Sequence, residues 1–181
     1  MMVEIKIMEG KPKKALPSLL DDLEACLFGK YDFRFNVLTE HTEYAPKGSP
    51  DYELVDQRVL NTLCLVARRN GINCWDKDVS RLLHSQKMID FHPFLTYMAE
   101  LPAWDGIDRV TPLALRVSSA GHWVKGFHKW MLGMAAQWSG RMGRCANAVA
   151  PLLVSTRQGM GKSSFCRLLM PDSLANYYTD S

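Results

Sequence analysis

Leu16, Leu19, Leu20, Leu23 and Leu27 recur at intervals of three and four, the period of a helix with one apolar face. The segment ALPSLLDDLEACLFG is therefore expected to open the fold as an amphipathic helix. In KYDFRFNVLTEHTEYAPKG the period changes. Tyr31, Phe33, Phe35 and Val37 alternate with polar residues, and a second short run follows from His41 to Tyr44. A period of two on either side of a polar break predicts a β-hairpin over about residues 31–45. Pro46, Gly48 and Pro50 then mark a loop.

Helical period returns with Val55, Val59, Leu60, Leu63, Val66 and Ala67, and Gly71 stands where a C-terminal cap glycine belongs. Asp76 is expected to cap a second helix, KDVSRLLHSQ, through its carboxylate. Two helices joined by a short turn raise the possibility of a DNA-reading helix-turn-helix. The second helix offers only Lys77, Arg81, His84 and Gln86 for contacts, however, so a plain helical hairpin is the preferred reading. Phe91, Phe94, Leu95, Met98 and Leu101 can share a further helical face that Pro102 ends, and Asp105-Gly106 predicts a turn beside Trp104. The longest helix candidate is HWVKGFHKWMLGMAAQWSG. Its stripe of Trp123, Phe127, Trp130, Met131, Met134 and Trp138 is assigned to core packing.

Composition adds bounds to this outline. Of 181 residues, 47% are hydrophobic and 23% charged, a balance that can bury a core. No apolar run is long enough to span a membrane, and the N-terminus lacks the block order of a signal peptide. Cys26, Cys64, Cys74, Cys145 and Cys166 are scattered without a CxxC pair, which argues against zinc and against a disulfide framework. The expectation is a reduced, cytoplasmic protein.

The net charge of +3 is unevenly placed. Nine Lys and Arg lie between positions 104 and 170, against only Asp105 and Asp108. Such a skew suits phosphate, in a nucleotide or in a nucleic-acid backbone; an ordinary solvated basic surface is the competing reading. Arg141, Arg144, Lys125 and Lys129 are the candidates for nucleic-acid contact.

The chemistry concentrates in LLVSTRQGMGKSSF, residues 152–165. AVAPLLVS reads as a buried strand and SFCRLLM as a helix, with a glycine-bearing loop between them, the order a Walker A motif requires. Glycines let successive N–H groups turn inward towards phosphate oxygens, and the helix start adds its positive dipole end. Gln158, Gly159, Met160, Gly161, Lys162, Ser163 and Ser164 are therefore the expected phosphate-binding residues. Lys162 would reach the β- and γ-phosphates of ATP, and the Ser163 hydroxyl would ligate Mg²⁺. Thr156 occupies the first position of GxxxxGK[ST], where glycine is usual. The bland alternative is a glycine-rich turn that binds nothing.

Hydrolysis needs an acidic residue at the end of a neighbouring strand. After Ser164 only Asp172 and Asp180 remain, and neither follows an apolar run. The expected fold is mainly α, with the β-hairpin near the N-terminus and a C-terminal strand–P-loop–helix unit of an incomplete α/β core. The expected domains are a helical one over 1–140 and the truncated start of a P-loop NTPase domain over 141–181. Exposed apolar surface is expected on that last unit, which would bind ATP without hydrolysing it alone.

The order DFRFNVLTEHTEY, FHPFLTYMAELPAWDGIDR, APLLVSTRQGMGKSSFCRLLM resembles the virulence-associated protein E family, helicase-like P-loop proteins of phages and mobile elements. The resemblance covers roughly residues 20–181. Its most specific parts are the turn from Pro102 to Arg109 and the loop from Gln158 to Ser163. It implies a helical region leading into an AAA+-like or superfamily 3-like ATPase core, often attached to a primase. ATP-driven action on nucleic acid, expected to be DNA, follows as its implied activity; a homo-oligomer is a separate expectation, from the apolar surface of the last unit. A Walker B strand and an arginine finger, which that family carries, are not found here. A different class remains open: a non-enzymatic nucleic-acid-binding or assembly module built on the basic 109–167 stretch. A kinase or GTPase P-loop is a third.

Overall fold

The computed structural model describes residues 18–141 and 149–179. It is mainly α-helical with one small sheet, and the chain divides into two compact units, residues 1–90 and 91–181. The second unit gathers the helices after residue 91 together with the glycine-bearing loop.

In the first unit, α1 (Leu19–Lys30) starts at Ser18, whose hydroxyl accepts from the Asp21 N–H while the Asp21 carboxylate accepts from the Ser18 N–H. This reciprocal cap satisfies N–H groups that the first turn leaves without helical partners. Leu16 lies outside the described residues. The hairpin forms as β1 (Tyr31–Asn36) and β2 (His41–Pro46), antiparallel, with Phe33 opposite Tyr44. Val37 falls past the strand, in a connection tied down by the Asn36 side-chain oxygen, which accepts from the N–H groups of Leu38 and Thr39. Two further strands, β3 (Glu53–Leu54) and β4 (Ile89–Phe91), extend the hairpin into a sheet of order β3-β2-β1-β4. Both were invisible to pattern reading because runs of two and three residues carry no measurable period.

Helix α2 (Gln57–Arg69) begins at an Asp56 cap. It ends as predicted at Gly71, where φ is +85° and the Ile72 N–H reaches back to the Ala67 carbonyl. Helix α3 (Asp76–Leu83) is shorter than expected. Its cap also differs: Trp75 holds the N-cap position, and the Asp78 carboxylate accepts from the Trp75 N–H at 3.0 Å. Asp76 is the first helical residue, one place too late to cap. Leu23, Leu27, Leu63, Val79 and Leu83 form a core from three helices, and Tyr31, Phe33 and Phe35 pack against it from the sheet. The Thr42 hydroxyl, inside this core, donates to the Leu83 carbonyl at 2.7 Å and ties the hairpin to the end of α3.

In the second unit, α4 (Pro93–Glu100) is capped by His92. Helix α5 (Val110–Leu115) had no sequence signal, since VTPLAL combines β-branched residues with proline. The Asp108 carboxylate nucleates it by accepting from the N–H groups of Val110 and Thr111, and proline is tolerated because the first turn needs no N–H partner from it. Helix α6 (Gly121–Trp138) matches the long aromatic segment. Phe127 is fully buried, and its ring centroid lies 5.4, 5.6 and 6.1 Å from those of Trp123, Trp130 and Phe165. Of the stripe only Phe127 is buried; Trp123, Trp130, Met131, Met134 and Trp138 are half-buried, so the expected core packing holds in part. Trp138 meets Phe94 at 4.9 Å. The chain closes with α7 (Lys162–Leu168) and a 3₁₀ segment, Asp172–Tyr177, whose Leu174 is buried.

The predicted strand over 148–155 is a correction. Ala148 lies outside the described residues, and residues 149–155 are in no sheet. Leu152 and Val154 are 82% and 81% exposed, while Pro151 and Leu153 between them are half-buried. The alternation of a strand is present without a ladder to join. Together with Leu168, these side chains make the exposed apolar surface expected of this unit.

Candidate nucleotide-binding cleft

Two glycines shape the loop before α7. Gly159 (φ +73°) and Gly161 (φ +78°) both sit in the left-handed region, where a β-carbon would clash with the backbone. Gly161 is the N-cap of α7, and its carbonyl accepts from the Phe165 N–H at 2.8 Å. These bends turn the chain from an extended approach into a helix within a few residues.

Lys162, the first residue of α7, folds back across the loop. Its ammonium donates to the Ser155 hydroxyl at 3.1 Å, and that hydroxyl donates to the Arg157 carbonyl at 2.6 Å. The loop is thus closed by a lysine with further donor capacity, since an ammonium carries three N–H bonds.

Beside the loop is a cleft of about 580 Å³. One part of its lining is Leu152 to Ser155 with Met160, Gly161, Lys162 and Phe165. The other comes from the corner between α5 and α6: Arg116, Val117, Ser118, His122 and Trp123. Side-chain bonds hold that corner in shape. The Trp123 indole N–H donates to the Ala114 carbonyl at 2.9 Å, and the Ser118 hydroxyl accepts from the Ala120 N–H at 3.2 Å. Thr111 of α5 meets the His128 ring of α6 at 2.8 Å, with Asp108 at 3.7 Å from the same nitrogen. Hydrogen bonds from the Thr111 side chain and N–H hold the Asp108 carboxyl below its ordinary range, with His128 adding a smaller share.

Of the residues expected to bind phosphate, the fold brings Met160, Gly161 and Lys162 to the cleft. Gln158, Gly159, Ser163 and Ser164 are exposed and do not line it. Among the described residues no cluster of three His, Cys, Asp or Glu side chains is arranged to hold a metal. Among the described residues that line the cleft there is no carboxylate. In the sequence Arg116 belongs to the basic skew and Trp123 to the aromatic stripe assigned to the core, while His122 carries no signal. They precede the loop by some forty residues and match no motif.

For the candidate nucleic-acid residues, Lys125 and Lys129 are exposed one turn apart on α6, and His122 lies a turn earlier on the same side. Arg141 is exposed just past that helix, and Arg144 lies outside the described residues. The Trp104 turn is built as follows. Gly106 has φ +83°, the Asp105 carboxylate accepts two bonds from the Arg109 guanidinium at 2.8 and 2.5 Å, and the Trp104 indole donates to the Ile107 carbonyl at 3.2 Å. Trp104 itself is 79% exposed.

Comparison of the chain with protein-family models, with curated proteins and with solved structures found no match. No helix among the described residues is long and apolar enough to cross a membrane.

Proposed function

We propose that the second unit binds a nucleoside triphosphate with Mg²⁺, ATP being the ligand the sequence favours, and that the chain is the ATP-binding part of a phage or mobile-element replication ATPase. The observation that carries this reading is the placement of Lys162. Its ammonium stands at the lip of a cleft large enough for a nucleotide, in a loop bent by two left-handed glycines, and is held there by Ser155. A cation with spare donors beside a glycine-bent backbone is the arrangement that phosphate recognition needs. The resemblance to the virulence-associated protein E family supports the replication context and the AAA+-like core, and it remains part of the proposal. The chemistry assigned to this chain is binding. Hydrolysis needs a carboxylate for the metal and its water, and the described residues of the cleft lining offer none.

Equilibrium titration of the purified chain with Mg·ATP, beside Lys162→Ala, tests the reading. Binding weakened at least tenfold in the variant supports it. Equal affinity in both proteins, or no binding in either, refutes it.

The basic side of α6 favours a second reading, a nucleic-acid-binding module that contacts backbone phosphates through Lys125 and Lys129. Its signature is salt dependence. Each neutralised phosphate contributes a slope of about −0.9 in log affinity against log salt, so even two contacts cost roughly tenfold between 50 and 200 mM salt. A duplex or single-stranded oligonucleotide bound with flat salt dependence, or not bound, removes this reading.

A further inference from the structure

A triphosphate tail lying along the loop does not account for the whole cleft. Five of the thirteen residues that line it come from a different stretch of chain, the α5–α6 corner, and that stretch is richer in polar and planar groups. The loop side offers the Lys162 cation, the Ser155 hydroxyl and backbone, together with the apolar side chains of Leu152, Leu153, Val154, Met160 and Phe165. The corner offers the Arg116 guanidinium, the Ser118 hydroxyl, the His122 imidazole and the Trp123 indole, with Val117 among them. Planar guanidinium and aromatic groups suit a flat heteroaromatic ring, because they stack on it without demanding one hydrogen-bond pattern. Hydroxyl and imidazole groups suit a sugar.

The corner is also braced before any ligand arrives. Trp123 is anchored through its N–H to Ala114, Ser118 is bonded to Ala120, and the Thr111–His128 contact joins the two helices. A preformed wall spends little ordering entropy on binding. Arg116 and His122 stand exposed at the edge of that wall, where neither supports the core.

We propose that the α5–α6 corner is the nucleoside end of the site: Trp123 and Val117 wall the base, and Arg116 and His122 engage the base and sugar. The ligand is then a nucleoside triphosphate, and a bare polyphosphate is a poor substitute. The inference rests on the phosphate-loop reading above. It goes beyond that reading by assigning the α5–α6 side of the cleft, which no motif in the sequence marks.

The test compares Mg·ATP with magnesium and inorganic triphosphate as ligands, titrated calorimetrically into the full chain. Four proteins are compared: the parent, Lys162→Ala, and two corner variants, Arg116→Lys, which keeps the charge but loses the planar fork, and His122→Ala. Both corner residues are exposed, so an unchanged melting temperature without ligand is expected and verifies folding. The account predicts that the parent binds ATP at least tenfold more tightly than triphosphate. Each corner variant should narrow that margin by several-fold, through weaker ATP binding with triphosphate binding unchanged, whereas Lys162→Ala should weaken both ligands. Corner variants that weaken triphosphate as much as ATP would make Arg116 and His122 phosphate ligands and overturn the assignment. Corner variants that change neither affinity would overturn it too, while leaving the phosphate loop standing if Lys162→Ala still weakens both. A parent that binds neither ligand would bring down the loop reading and this inference together.

Discussion

The ammonium group of Lys162 and the hydroxyl of Ser155, seven residues apart in sequence, are joined by a 3.1 Å hydrogen bond that spans the mouth of the glycine loop. Ser155 in turn donates to the Arg157 carbonyl, so one small side chain fixes both the lysine and the backbone it crosses. Lysine carries a large rotamer entropy, and an anchored one gives up less of it on meeting a phosphate. Ser155→Ala should therefore weaken Mg·ATP binding by a few-fold, less than Lys162→Ala does. Titration of the two variants in parallel checks the order. A Ser155→Ala protein that binds as tightly as the parent would mean that this bond plays no part in recognition.

Gly161→Ala isolates backbone conformation. Beyond the adjacent backbone no heavy atom stands within 4 Å of a β-carbon built at Gly161, so the cost is the left-handed φ of +78°, about 1–2 kcal/mol. Gly71 has the same kind of environment at φ +85°, but in the first unit. Both alanine variants should lose comparable stability in denaturant unfolding, and only Gly161→Ala should also lose nucleotide affinity. Equal affinity losses at the two sites would detach the loop's glycines from ligand binding.

How much of this was legible in sequence depended on where each signal lay. The hairpin, α2 with its Gly71 cap, and α6 were readable because each carries its own period over enough residues, and the terminating glycine is a local requirement. Helix α5 was not readable, because its start depends on the Asp108 carboxylate more than on helix-forming residues. The apolar run before the loop was read as a buried strand. Its composition fits one, but burial depends on partners that a local pattern does not encode, and Leu152 and Val154 face solvent. For the cleft, part of the loop side is visible as a motif and the α5–α6 side is not, because chain folding alone brings Arg116, His122 and Trp123 to Lys162.

The Trp104 turn predicts a pH response. Asp105 has its pKa lowered from 3.8 to about 2, chiefly by the Arg109 side chain and next by the Ile107 N–H, and the Arg109 pKa is raised in turn. A carboxylate with a depressed folded-state pKa favours the folded turn at pH values above its unfolded pKa, and that contribution fades as pH falls from about 4 towards 2. The indole N–H resonance of Trp104, bonded to the Ile107 carbonyl, should hold its position from neutrality to about pH 4 and shift below it. Asp105→Asn should show the shifted position already at pH 7. A resonance that moves between pH 5 and 7 would contradict the assignment.

Thr42→Val tests the tie between hairpin and helix. Valine matches threonine in shape but leaves the buried Leu83 carbonyl without the hydroxyl that bonds it at 2.7 Å. Loss of a partner for a buried polar group costs about 1–3 kcal/mol. Chemical denaturation should record a loss of that size, with Mg·ATP affinity unchanged, because Thr42 belongs to the first unit and the cleft to the second. An undiminished stability would show that water satisfies the carbonyl.

If Lys162 and its loop bind the phosphates of a nucleotide, a thermal melt of the chain with and without Mg·ATP must separate the parent from Lys162→Ala. A ligand that binds only the folded state raises the melting temperature in proportion to RT ln(1 + [L]/Kd). The account predicts a rise of a few degrees in the parent and none in the variant. Equal rises in both proteins, or none in the parent at millimolar Mg·ATP, would contradict it.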